Sequence, residues 1–241
     1  MKMLLKATVA AAMLASLGAA QAAVVTFDGL ADSPFATSMP LLGNGDEFYQ
    51  STFWIDTLST KAGALPGDFV GAIVDGSDVA NTCFSLVCPT NDATNFLASL
   101  NDGLPAFGRL DGGAVNVVQF DASFIAASGV TVPPTALLLR LEGYINGAVA
   151  AQQDFLLPGP SAGAYSFSTY YASDAFKNTN FDFVAFRGFA CNAAGSCSRS
   201  LDTAQFALDN VNFVPEPNAW LMLGLVGLAA AGASSLRRRS I

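Results

Sequence analysis

Residues 205–214 read QFALDNVNFV. Apolar and polar side chains alternate along this stretch, the period-two pattern of a β-strand. Even positions put Phe206 and Leu208 on one side, and odd positions put Asp209 beside Val211 and Phe213. A carboxylate on an apolar face is costly unless it is paired or bound to a metal. The stretch therefore calls for a cation beside Asp209, or for a bulge that turns Asp209 outward. Runs of the same character recur upstream: VVTF (24–27), STFWIDTL (51–58), DFVGAIV (68–74), AVNVVQF (114–120), TALLLRLEGYI (135–145), AYSFSTYY (164–171) and FDFVAFRGFA (181–190). They are rich in Phe, Val, Ile and Tyr, and Gly-Asn-Gly, Asp-Gly, Pro-Pro and Pro-Gly-Pro breaks separate them.

Segment 91–102, NDATNFLASLND, reads instead as a short helix, with Phe96, Leu97 and Leu100 on one face and Asn91 or Asp92 as the cap. Eight or more short strands and one short helix imply an all-β fold, a β-sandwich of the jelly-roll kind. The roughly 190 residues from Ala23 to about Val214 are enough for one such domain, placed at 23–213.

The two ends differ from this body. MKMLLKATVAAAMLASLGAAQAA has Lys2 and Lys6, an apolar run from Ala7 to Leu17, and Ala20-Gln21-Ala22 as a small-x-small site, so residues 1–22 read as a secretory signal peptide. This implies the Sec machinery and signal peptidase as partners. At the other end, 214–241 holds Val214-Pro215-Glu216-Pro217, an apolar run, and Arg237-Arg238-Arg239. Ala219 to Leu236 is 18 residues, the lower limit for a helix that crosses a membrane. The arginines then lie on the cytoplasmic side and Trp220 at an interface.

Five of the 11 Lys and Arg sit in these end segments, whereas all 19 acids fall between Asp28 and Glu216. An acidic surface of this kind repels phosphate backbones, which excludes nucleic acid as a partner. It suits an extracellular, calcium-containing setting. The four cysteines fall in two close pairs, CFSLVC (83–88) and CNAAGSC (191–197). In an oxidising compartment they are expected to form the bridges Cys83–Cys88 and Cys191–Cys197.

The chain has no histidine, which rules out Ser-His-Asp and Cys-His chemistry. A carboxylate pair of the glycosidase type is the remaining catalytic route. Glu47, Asp56, Glu142, Asp154 and Asp182 are spread over several segments, and their spacing singles out no two, so the chain is read as non-enzymatic. Sugar binding would use exposed aromatic side chains, for which EFYQSTFWIDT offers Tyr49 and Trp54, with Tyr144, Tyr170 and Tyr171 elsewhere. Calcium takes six to eight oxygen ligands. Asp209 on the last strand and Asp28 of FDGL near the first would make a nucleus for a structural ion.

The order of Pro215-Glu216-Pro217, apolar run and Arg237-Arg238-Arg239 resembles the PEP-CTERM sorting signal of Gram-negative bacteria, and the resemblance covers only about the last 28 residues. It implies processing by the membrane-embedded protease exosortase, a transient inner-membrane anchor, and release to the cell surface or extracellular matrix. The body is also similar to exported PEP-CTERM proteins that open with a TFDGL-like strand and close on FALDNV-F, and GDFVGAIVDGSD, NTCFSLVCPTND and LASLNDG look like one subfamily of these. The FD…ALDN bracket is similar to jelly rolls of the carbohydrate-binding type with a calcium near the chain ends. The resulting expectation is a noncatalytic surface or matrix protein of a biofilm former, with a structural or adhesive role. A carbohydrate-binding module acting on matrix polysaccharide is the alternative.

Overall fold

The computed structural model of the chain describes residues 23–30, 40–83, 86–198 and 203–214. The leader at 1–22 and the sorting residues Pro215, Glu216, Pro217, Arg237, Arg238 and Arg239 lie outside the described residues. Among those described, no helix is long and apolar enough to cross a membrane.

The strands in chain order are β1 (Ala23–Val25), β2 (Leu41–Gly43), β3 (Asp46–Gln50), β4 (Phe53–Ser59), β5 (Phe69–Asp75) and β6 (Leu86–Val87). They continue with β7 (Asn95–Ser99), β8 (Gly103–Arg109), β9 (Val117–Phe124), β10 (Ala126–Ala127) and β11 (Thr135–Ile145). The last are β12 (Ala148–Pro158), β13 (Ser168–Tyr171), β14 (Phe183–Cys191), β15 (Cys197–Ser198) and β16 (Phe206–Phe213). All but the short β6–β10 pair belong to two seven-stranded antiparallel sheets. The first runs β13-β9-β16-β7-β5-β2, with β1 also on β16, and the second runs β12-β11-β14-β8-β4-β3, with β15 on β14. The chain changes sheet at β2 to β3, β4 to β5, β7 to β8, β8 to β9, β12 to β13, β13 to β14 and β15 to β16, and again on the way from β9 through β10 to β11, the path of a jelly-roll β-sandwich.

Alternation along the strands decides what lies between the sheets. In β11, Leu137, Leu139 and Leu141 are fully buried while Arg140 faces outward. Phe107 meets Phe186 edge-on at 5.7 Å, Phe186 meets Phe120 at 4.8 Å, and Phe53 stacks on Phe213 at 4.2 Å. Each such ring contributes about 1.5–3 kcal/mol by leaving water, and phenylalanine does so without a polar group to satisfy. The β11–β12 hairpin turns at Asn146 and Gly147, whose φ values of 53° and 75° give the backbone twist that a two-residue hairpin needs.

The helix expected at 91–102 is not formed. Residues 95–99 are strand β7, between β5 and β16. Leu97 belongs to the core between the sheets, whereas Phe96, Ala98 and Leu100 belong to a second core on the other side of the same sheet. A strand buried on both faces has no alternation to read, and its apolar run mimics a helical face. The helical elements among the described residues are single turns at Val79–Thr82 and Asp174–Asn178 and a 3-10 turn at Gly76–Asp78.

The second core is covered by the excursion between β5 and β7. Cys83 and Cys88 are bonded there and pack with Val74, Phe96, Ile125 and Ala207. Cys191 and Cys197 form the other disulfide, across β14 and β15, and no cysteine is free. Loops this short give less than the roughly 3 kcal/mol of a 15-residue loop. Reduction should therefore lower the urea midpoint without abolishing cooperative unfolding, with the Cys83–Cys88 excursion gaining amide exchange first. Complete unfolding on reduction alone would contradict this.

Candidate functional site

β16 runs through the first sheet between β9 and β7, and its register with β9 contains a bulge. Asp209 lies opposite Asp121, while Asn212, three residues on, lies opposite Gln119 only two residues away. The extra residue is Asn210, whose φ of 48° is in the left-handed region that Asn tolerates better than most side chains. The bulge changes the phase of the strand. Val211 and Phe213 join Phe206 and Leu208 in the core between the sheets, and Asp209 falls instead on the outer side with Ala207. Asp209 therefore does not share a face with Val211 and Phe213. Nor does the bulge bring it to solvent, since its exposure is 0%.

Three segments meet over it. The turn after β1 carries Asp28, the end of the excursion before β7 carries Asp92 and Thr94, and the bulge supplies Asn210. Gln50 fixes the first of these: its amide nitrogen donates to the Asp28 carbonyl at 2.8 Å, and its oxygen accepts from the Phe27 amide at 3.0 Å. Asp28 Oδ1 in turn accepts from the Asn95 amide at 3.0 Å. Asp92 Oδ1 accepts from the Thr94 amide at 2.9 Å and the Thr94 hydroxyl at 2.5 Å, and that hydroxyl lies 3.4 Å from Asp209 Oδ2. Asn210 donates from its backbone to Asp209 Oδ1 at 2.7 Å, and from its side chain to Asp209 Oδ2 at 3.1 Å and Asp121 Oδ2 at 2.9 Å.

Acids predominate here, and their charges are not matched. The ion pairs Arg109–Asp111, Arg140–Asp154, Lys177–Asp174 and Arg187–Glu142 involve none of Asp28, Asp92, Asp121 and Asp209. Burial pushes the Asp209 carboxyl up to about 8, with a hydrogen bond to Asp92 and the charges of Asp92 and Asp28 adding to the rise. Burial also acts to raise Asp92, but hydrogen bonds from Thr94 and from Asp209 outweigh it and hold Asp92 below the usual range. The two carboxyls are thus driven apart, Asp209 toward its protonated form and Asp92 toward its ionised one. No set of three or more His, Cys, Asp or Glu side chains close enough to hold a metal ion occurs among the described residues. The donors present are all hard oxygens of the type calcium prefers, and they make part of a shell.

The structure brings Asp28 and Asp209, both singled out from sequence, close enough to influence each other's charge. Asp92, Thr94 and Asn210 were not singled out as ligands. The expected helix takes Asn91 or Asp92 as its cap, although an Asp two residues before a Thr is also the signal for the local turn Asp92 makes here. Trp54 and Tyr49 are register partners on β4 and β3, on the outer face of the second sheet. Of the other tyrosines, Tyr144 stacks on Phe183 at 4.4 Å, and Tyr170 packs against Phe120 and Phe155. Glu47, Asp56 and Glu142 prove to lie in one row across the second sheet, through Ala106 and Ala185.

No family model matches the chain. No curated protein matches it either. Among solved structures, the chain is similar to a DUF4465 family protein from Bacteroides caccae at 12% identity and a TM-score of 0.54, over 81% of this chain and 100% of that one. A DUF4465 family protein from Bacteroides ovatus matches at 9% identity and a TM-score of 0.42, over 80% of this chain and 98% of that one. At such identities the first likeness speaks for the β-sandwich fold alone.

Asp209 gives stability a pH dependence of definite sign. Its folded value lies above the unfolded one of about 3.9, so its contribution is complete below that value and is lost as pH rises through about 8. With no histidine in the chain, little else titrates between pH 5 and 8. Metal-free protein should lose stability steadily over that window in urea titrations, and Asp209→Asn, which mimics the protonated acid, should flatten the slope. A flat wild-type profile would show that Asp209 is not held protonated.

Proposed function

We propose that this chain is an exported, noncatalytic surface or matrix protein of a Gram-negative bacterium, processed by exosortase, whose ectodomain is clamped by a structural calcium. The supporting observation is the placement of Asp209. It lies on β16, close enough to Asp28 from the turn after β1 to feel its charge, and six positions before Pro215 in sequence. Asp209 and Asp28 would supply the carboxylates, with hydroxyl and backbone carbonyl oxygens nearby making up the remainder. When bound, calcium supplies the positive charge that otherwise has to come from a proton on Asp209. The clamp then joins both ends of the sandwich. The two disulfides support export, since such bridges persist in oxidising compartments.

Calcium should raise the melting temperature of protein stripped of metal, by the equivalent of about 2.7 kcal/mol at a hundred times Kd. Chelation should reverse the shift and Asp209→Asn should abolish most of it. Identical melting curves with and without calcium would overturn the clamp.

Export is tested separately by the intact mass of the outer fraction. The expected species lacks residues 1–22 and the apolar tail, and replacing Glu216 or the three arginines leaves precursor in the inner membrane. Full-length tail on the mature outer protein would overturn the sorting assignment.

A further inference from the structure

We propose that the outer face of the second sheet binds an extended, uncharged polysaccharide along an aromatic row that crosses its strands. The row follows from register. Tyr49 pairs with Trp54, Trp54 with Gly108, Gly108 with Phe183, and Phe183 with Tyr144. One residue from each of β3, β4, β8, β14 and β11 therefore lies in line, and directly paired residues point to the same face. That face is turned away from the main core. Phe53 and Ile55, on either side of Trp54, are in the core between the sheets, whereas Trp54, Tyr144 and Phe183 pack round a separate cluster of Leu104, Ala106 and Ala185.

Gly108 is required for the row to close up. A Cβ there would collide with the indole of Trp54, so glycine lets the ring lie over β8 toward Phe183, 6.1 Å away between centroids. Tyr144 continues the row by stacking on Phe183 with 10° between the rings. Four strand spacings of about 4.8 Å give the row a length of about 19 Å. Tyr49, at the β3 end, is 51% exposed.

Beside the rings, two positions along each strand, runs a second line: Asp56, Ala106, Ala185 and Glu142. The two alanines form a floor lower than the rings, with a carboxyl at each end. Asp56 Oδ1 is buried without a hydrogen-bond partner, an acceptor that a ligand hydroxyl satisfies once the side chain turns outward. Glu142 is fixed by Arg187, which donates twice at 3.0 Å, and by the Tyr144 hydroxyl at 2.6 Å.

This pairing of surfaces matches a sugar chain. The C–H faces of the rings pack on aromatic side chains, and the hydroxyls donate to carboxylates. Charge selects among polysaccharides. Arg187 is taken by Glu142 and Arg140 by Asp154, the latter at 2.7 and 2.8 Å, so these arginines are committed, while Glu47 and Asp56 at the other end of the row enter no ion pair among the described residues. A uronate or sulfated chain would meet repulsion, and an uncharged one would not.

The inference deepens the adhesive reading above and rests on it only for placing the protein outside the cell. Titration calorimetry on the full chain with calcium present would use hexasaccharides of cellulose, laminarin, mannan and xylan, with hexagalacturonate as the charged comparison. At least one uncharged hexasaccharide should bind, and Trp54→Ala and Tyr49→Ala should each weaken it by about tenfold, the scale of one lost stacking contact. Tyr49→Ala removes an exposed side chain at a sheet edge and so keeps the fold if Trp54→Ala does not. Tyr171→Ala, 64% exposed on β13 of the other sheet, should bind like the wild type. Silence from all four uncharged sugars, undiminished binding in Tyr49→Ala and Trp54→Ala, or preference for hexagalacturonate would overturn the inference. A processed, calcium-stabilised protein that binds no sugar would overturn it alone.

Discussion

A carboxyl group with no exposed surface, set among other carboxyls and unpaired with lysine or arginine, has to be neutralised by a proton or a cation. Asp209 is in that position, and its place in the fold spreads the consequence widely. β16 pairs with β1, β7 and β9. Whatever sits at Asp209 acts on the turn after the first strand through Asp28, on the excursion through Asp92, and on β9 through the bridge from Asn210 to Asp121. A proton satisfies only the Asp209–Asp92 pair. A divalent ion would satisfy several of these groups together, and this is the ground on which calcium is proposed.

The two sheets differ in how they are covered. The first is buried on both faces along β5, β7 and β16, inside by the phenylalanines and outside by the excursion with its Cys83–Cys88 bridge. That double cover removes water from Asp209. The second sheet packs only its inner face in this way, and its outer face keeps a partly exposed aromatic row above a floor of two alanines. One sandwich thereby holds a buried acidic cluster in one sheet and a partly exposed aromatic face on the other.

Much of the sandwich was legible in the sequence because its strands bury one face. TALLLRLEGYI coincides with β11, and QFALDNVNFV contains β16 within one residue at either end. β7 was misread because both its faces are buried, and the second core that buries one of them is formed by a distant loop. β12 was passed over for the opposite reason: Ala148–Gln152 is exposed to half-buried throughout and offers little contrast. At the site, Asp28 and Asp209 stood out as acids inside apolar runs. The phase of Asp209 could not be read from period two, because one left-handed residue, Asn210, resets the alternation after it. Asp92 sits 117 residues from Asp209 in sequence, and only strand order brings them together. The aromatic row is written in cross-strand register, which no single segment of sequence contains.

The most direct measurement is proton release. In weakly buffered, metal-free protein at pH 7, Asp209 carries its proton, and an ion that takes its place must expel it. Adding calcium under pH-stat control should release about one proton for each ion bound, and Asp209→Asn should release none. Calcium binding without proton release from the wild-type protein would contradict the assignment of Asp209 as the group that exchanges a proton for the metal.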